Sequence, residues 1–489
     1  MTTTNATATT TTSLAQKLWT TKTYRLLVII LVQLTGSMFL VPVLPSLLTD
    51  DFAAARVGNG TDVLHCGDYE PDAAPLACVE AHGDVVTWST TSGFFQNAVF
   101  SILVAPSLGA WSDVHGRKPV IVLSQLLSVA PITVLILHTR GVMRLCWIYV
   151  VQAFTQSVSI IAPSLAYMAD RIDREHRAAA FGLIIASFSV AILIGPPVGA
   201  LLPLRMVPYA TLLMLSIATA GTVFFLPEEV AGHRDGRREN RQENRRENLQ
   251  EESNKLVGAL KILRRSPLFI KLTTILVITA ATGEALQDLL IQYLQLKLGF
   301  GAADTSKMFM VLGAGALLVQ GVLLQVLLRA LGEARLLFVG LVVGGLQQLL
   351  LVLATSKWQA IGAVALGSLG SVTFPTISGI KANNSSPQEQ GAVQGALYGA
   401  RALSSGLGPL VFGALFRLFL TSDFPGTPFV VGTALMVVAA GIAWSLDEEQ
   451  DGRTSGAVDD GIETLGRMET DDWREGIEAE TMSLLPHST

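Results

Sequence analysis

Three ionisable residues interrupt long apolar stretches of this chain: Glu284, Asp288 and Arg401. Glu284 and Asp288 are one helical turn apart, which puts both on one face of a helix. Arg401 lies near the middle of the apolar stretch 392–416. Unpaired charge is costly in such surroundings, so these groups mark solute sites, proton relays or ion pairs. A carboxyl removed from water can exchange a proton near neutral pH. Glu284 is therefore expected to bind a proton or a cationic part of a solute. Arg401 is expected to be its counter-charge or an anion-binding group. Asp288, nearer the other end of its stretch, either joins that site or faces water. A purely structural pair, Glu284 or Asp288 with Arg401, would instead lock two helices. Gln96, Asn97 and Gln152 would complete a solute site, and buried helix-to-helix hydrogen bonds explain them nearly as well.

The elements that carry these residues follow from composition. Half of the 489 residues are hydrophobic and 15% are charged, against about 25% charged in an average soluble domain. Mean hydropathy is +0.48. The apolar residues fall into blocks of about twenty, the length of a membrane-crossing helix. The spans read 24–48, 89–110, 119–138, 145–169, 178–203, 207–227, 268–294, 308–328, 336–355, 358–380, 392–416 and 427–446. They are continuous runs, not the alternating segments of a β-barrel. The expected fold is an all-α integral membrane protein of twelve transmembrane helices in two pseudo-symmetric six-helix bundles, 21–227 and 267–446.

Placing both termini and the even-numbered loops on one side puts 25 of the 34 Lys and Arg residues there and 8 opposite. The excess of basic residues marks the cytoplasmic side. Residues 1–20 are expected to be a disordered cytoplasmic tail, with the first span as an uncleaved signal anchor. Residues 49–88 read as one long exterior loop. It carries the sequon at Asn59, a glycosylation site, and two cysteines, Cys66 and Cys78. An oxidising compartment would join these in a disulfide. Residues 228–266 form a charged cytoplasmic linker that is either a solvated helix or disordered. Residues 447–489 form an acidic tail that cannot build a core. Within it Glu480, Leu484 and Leu485 match the acidic dileucine pattern read by sorting adaptors. That favours an endolysosomal or vacuolar membrane, with the plasma membrane as the alternative.

The two halves repeat a pattern. Gly182 precedes Gly195-Pro196 by thirteen residues, and Gly395 precedes Gly408-Pro409 by thirteen. Gly199 follows the first pair. Proline frees a backbone carbonyl and lets a helix bend, so these positions read as a helix-bend motif. A duplicated six-helix unit places a solute site near the midplane between the repeats.

Between spans 2 and 3 the chain reads Gly109-Ala110-Trp111-Ser112-Asp113-Val114-His115-Gly116-Arg117-Lys118-Pro119. Gly109 would let one helix end press against a neighbour. Asp113 would pair with a cation or cap an adjacent helix N-terminus. Gly116 permits a tight turn, and Arg117 and Lys118 hold the loop on the cytoplasmic face. This run resembles the loop signature of the major facilitator superfamily. Ala166-Tyr167-Met168-Ala169-Asp170, Phe374-Pro375 and Gly406-Leu407-Gly408-Pro409 are most similar to its tetracycline-efflux-like and hippocampus-abundant-transcript-like branch. Span 4 reads Val150-Val151-Gln152-Ala153-Phe154 and lacks the basic residue that many drug exporters carry there.

The resemblance implies a secondary transporter that moves a small organic solute by alternating access. Proton coupling is expected through Glu284, and Gly195-Pro196 with Gly199 partly matches an antiporter-type signature of the superfamily. The expected partners are membrane lipid, the solute, protons and sorting adaptors at the tail, with no nucleic acid. No phosphate-binding loop, metal-ligand spacing or nucleophile–base set occurs, so no cofactor, no metal and no enzymatic activity are expected. A non-transporting membrane sensor or scaffold with the same fold is the alternative.

Overall fold

In a computed structural model, residues 14–57, 64–227, 266–383, 390–422 and 424–446 are described, and no strand occurs among them. Backbone in hydrocarbon has no water to bond, and a helix satisfies it within one segment. Eight described helices are long and apolar enough to cross a membrane. One of these, Ala302–Leu353, contains spans 8 and 9, joined at Gly332, where φ is +76°. Spans 1, 2 and 4 are assembled from shorter pieces. Tyr24–Met38 is followed by Leu44–Val57, and Trp147–Thr155 by Ile161–Arg171. Leu76–Phe94 continues into Ser101–His115 through a π-helical segment at Phe95–Phe100. These complete the twelve spans.

Each half builds its own core. Leu26, Ile30, Tyr167 and Met168 are buried together in the first, and Phe269, Leu272, Ile377 and Leu397 in the second. Large apolar side chains such as Leu201, Phe224 and Leu418 point outward, where lipid tails are as apolar as they are.

The repeat seen in the sequence has a spatial counterpart. A Cβ added to Gly195 would lie 2.3 Å from Met38 Cβ in span 1. One added to Gly408 would lie 2.3 Å from the Ala281 carbonyl oxygen in span 7. Each half thus presses the Gly-Pro step of its fifth helix onto its first helix. Gly199 continues the contact, 2.2 Å from the Phe39 carbonyl oxygen by the same measure. Small residues also seat one half on the other: Gly313 on Leu193, Gly406 on Ala98 and Gly413 on Thr90. Ser306 Oγ donates to the Pro196 carbonyl at 2.8 Å across the same boundary.

Two sequence expectations need correction. The loop expected at 49–88 is largely helical, because span 1 continues to Val57 and span 2 begins at Leu76. These polar helical ends fail a hydropathy reading but are held by ion pairs. Arg56 bonds Glu80 and Asp84, and Asp84 also bonds Arg417 of the other half. Cys66 and Cys78 form a disulfide at this end. The tail expected at 1–20 is helical from Leu14 to Thr20. Lys17 pairs with Asp173 at 2.5 Å, and Trp19 stacks on Tyr24. Asn59, the charged linker from 228 to 265, and the tail with Glu480, Leu484 and Leu485 lie outside the described residues.

The halves are fastened at the disulfide end. Besides Asp84 with Arg417, the side-chain oxygen Oε1 of Gln292 in span 7 accepts from Thr49 Oγ1 and lies 2.6 Å from His82 Nδ1. Gln295 Nε2 donates to Ser46 Oγ at 3.0 Å.

Candidate functional site

Span 7 is one helix, Pro267–Leu298, opened by a Ser266 cap and closed by left-handed Gly299. Span 11 is Gln390–Phe419, with Pro409 inside it. Their close packing at Gly408 and Ala281 brings the charges of the two helices together. Arg401 Nη2 donates to Glu284 Oε1 at 3.4 Å. The guanidinium also sits 4.4 Å from the centre of the Phe374 ring, a favourable cation–π contact. The two side chains remain 37% and 44% exposed, and that exposure is to a cavity.

Two cavities meet at Glu284. The smaller, about 310 Å³, is polar and spans both halves. Ser89, Ser92, Gln96 and Asn97 line it from span 2, and Tyr149 and Gln152 from span 4. Glu284, Asp288 and Ser405 line it from spans 7 and 11. The larger, about 1010 Å³, is lined by Glu284, Arg401, Phe374 and four glutamines, Gln287, Gln320, Gln347 and Gln348. Its lining runs from Phe429 and Gln348 to Gly182, Leu276 and Leu324. The structure therefore brings Gln96, Asn97, Gln152, Glu284 and Asp288 around one space. Arg401 opens onto the neighbouring one.

Sequence reasoning missed Ser405, Tyr149 and the glutamine set. Ser405 had a usable signal, since it lies one helical turn beyond Arg401 and so on its face. Tyr149 and the glutamines had none, because polar residues on a membrane helix face either a cavity or a neighbour.

The Gly109–Lys118 run sits where the second span turns into the third. The helix ends at His115, and Gly116 takes φ +94° before the next helix starts at Arg117. Arg117 bonds Asp170 at 3.1 Å and Ser112 Oγ at 2.8 Å, and Lys118 donates to the Val223 carbonyl. This ties together the ends of spans 2, 3, 4 and 6. Gly109 does not do what its type suggested. A Cβ there would meet nothing within 4 Å among the described residues, so the close approach lies at Gly406 and Gly413 instead. The side chain of Asp113 lies outside the described part of the structure.

Comparison with known proteins agrees with this architecture. A family model described as Major Facilitator Superfamily matches residues 26–409. Hippocampus abundant transcript-like protein 1 of Mus musculus is 26% identical over 397 residues, covering 76% of this chain and 75% of that protein. Tetracycline resistance protein, class D, of Salmonella ordonez is 26% identical over 412 residues, covering 84% and 93%. The human organic anion transporter MFSD10 (TETRAN) superposes with a TM-score of 0.57 at 20% identity, over 88% of this chain and 100% of that one. A bacterial homolog of the human lysosomal transporter Spinster superposes with a TM-score of 0.59 at 12% identity, over 88% and 97%. These two likenesses show the fold.

Proposed function

The chain belongs to the Major Facilitator Superfamily, and we propose that it moves a small organic solute by alternating access, coupled to protons. The observation that carries this reading is the cavity shared by both halves, with Glu284 and Asp288 on one wall. A site between two repeats can be exposed first to one side of the membrane and then to the other as the halves rock. The contacts at the disulfide end would have to part for the opposite face to open. Glu284, paired with Arg401 at the cavity wall, is the carboxylate we assign to proton coupling. Gly116 and the Arg117 contacts would hold the loop between spans 2 and 3 as one gate element.

The test uses purified protein in liposomes under an imposed pH gradient. Solute movement driven by the gradient should appear with the wild type and lose its gradient dependence with Glu284→Gln. Unchanged dependence in that variant would sink the role given to Glu284.

The address and orientation belong to the same reading. Both termini face the cytoplasm, Asn59 carries a glycan on the opposite face, and the membrane is endolysosomal or vacuolar. N-glycosidase should shift the mobility of the wild type and leave Asn59→Gln unmoved. Replacing Leu484 and Leu485 by alanine should redistribute the protein to the plasma membrane. An unaltered distribution would remove the sorting role.

A further inference from the structure

Spans 7 and 11 run side by side, and their charges can be read turn by turn. Arg401 reaches Glu284, and the pair is closed at 3.4 Å. One turn further along both helices, Asp288 stands on span 7 and Ser405 on span 11. Both line the small cavity, where Asp288 has no arginine of its own. Among the described residues Asp288 has neither an ion pair nor a hydrogen bond, although it lines the small cavity. Its side chain is exposed to that cavity and is not packed against a protein partner.

A second, independent observation lies beside it. Ser405 is only 7% exposed, lines the same cavity, and its hydroxyl has no hydrogen-bond partner. Pro409, four residues on, has no N–H to donate to the Ser405 carbonyl, so that acceptor is also freed from the helix. Buried polar groups left unmatched by protein are matched by something else. Facing Asp288 from the packed helices are Glu284 on its own helix and Tyr149 on span 4, with Arg401 one level away on span 11. Across the site as a whole, two carboxylates meet one guanidinium.

We propose that the small cavity is a cation site that takes the protonated amine of the transported solute, with Asp288 as counter-charge and Ser405 among the hydrogen-bonding groups. An alkylammonium head needs one carboxylate and several oxygen acceptors. Ser89, Gln96, Asn97 and Gln152 supply further oxygens across the cavity. A volume of 310 Å³ equals that of about ten waters. That suits an amine with its first carbons, whereas a bare metal ion would need a close oxygen shell. Glu284 lines both cavities, so one solute can place its head against Asp288 and its body in the larger space. Gln348 also lines that space, with its side-chain oxygen turned against Gly432. The amine and a proton compete for this two-carboxylate site, in which Asp288 meets the amine and Glu284 shares the charge change.

This inference rests on the transporter reading and is tested apart from it, by equilibrium binding to the full chain in lipid nanodiscs. The probes are tyramine, tyrosol and 4-hydroxyphenylacetate, which share one body and differ in head charge. Tyramine should bind at least about tenfold tighter than the other two, a difference of about 1.4 kcal/mol. It should also release protons into a weakly buffered solution. Asp288→Asn should abolish the preference and leave tyrosol affinity within about twofold, with Asp288→Glu restoring part of it. Equal affinities, preference for the acid, or binding of none of the three overturns the proposal. So does sodium chloride alone displacing tyramine competitively, which would make this a metal-cation site. Tyramine binding without any pH-driven uptake in liposomes would leave the site standing and sink the transporter reading instead.

Discussion

Arg401→Ala should abolish gradient-driven transport and lower the stability of the folded chain. The guanidinium is the partner of Glu284 and stacks on Phe374. Removing one member of a fully buried pair costs about 3–5 kcal/mol, because the other charge is left uncompensated. Here the side chains are 37% and 44% exposed to the cavity, so screening reduces the loss to about 1–2 kcal/mol. The functional loss is larger. Without the arginine, Glu284 and Asp288 stand one turn apart with no cation between them. The coupling carboxylate then has no counter-charge, and solute movement is uncoupled from the gradient. Flux should fall at least about tenfold, which needs only ~1.4 kcal/mol at the slowest step. Arg401→Lys should retain part of the flux, since it keeps the charge but not the planar stacking. The double variant Glu284→Gln with Arg401→Gln should recover stability and not coupling, which separates the two roles. Wild-type flux in Arg401→Ala, measured in liposomes, would refute the pairing as a working element.

Gly199→Leu should prevent the N-terminal half from assembling. A Cβ at this position would lie 2.2 Å from the Phe39 carbonyl oxygen and 2.7 Å from Phe39 Cα. These are backbone atoms at the break between Tyr24–Met38 and Leu44–Val57, so no side-chain rotation relieves the clash. Overpacking of a core costs about 1–3 kcal/mol when side chains can shift, and more when backbone must move. Gly344→Leu is the control, because a Cβ there meets nothing within 4 Å among the described residues. In detergent, Gly199→Leu should elute as aggregate by size exclusion while Gly344→Leu elutes as the wild type does. A monodisperse Gly199→Leu with an unchanged thermal transition would show that spans 1 and 5 do not pack as described.

Much of this molecule was legible from residue order because bilayer physics is local. Each span must supply its own apolar length and its own backbone hydrogen bonds, so the twelve blocks could be read one at a time. The duplication was legible for a similar reason. Gly195-Pro196 and Gly408-Pro409 recur at equal spacing because each half meets the same packing demand between its fifth and first helices. Hydropathy failed where helices leave the hydrocarbon. The stretch 49–57 is helical, yet Asp50, Asp51 and Arg56 break its apolar character. The N-terminal helix Leu14–Thr20 is likewise held by contacts distant in sequence, such as Lys17 with Asp173.

The sequence by itself determined which residues carry charge into the membrane: Glu284, Asp288 and Arg401. It determined that Glu284 and Asp288 share a face, since helical periodicity follows from spacing alone. Only the tertiary structure decided which of the two has the arginine. That depends on how spans 7 and 11 pack and how far the Arg401 side chain reaches, and the two helices meet at the backbone contact of Gly408 with Ala281. A different packing of the two helices would hand Arg401 to Asp288 without changing a residue. Tertiary structure likewise decided that Gln96, Asn97 and Gln152 face these carboxylates across the boundary of the two halves. Helices far apart in sequence meet there through small residues, and which polar face turns inward is fixed by that packing and not by local pattern.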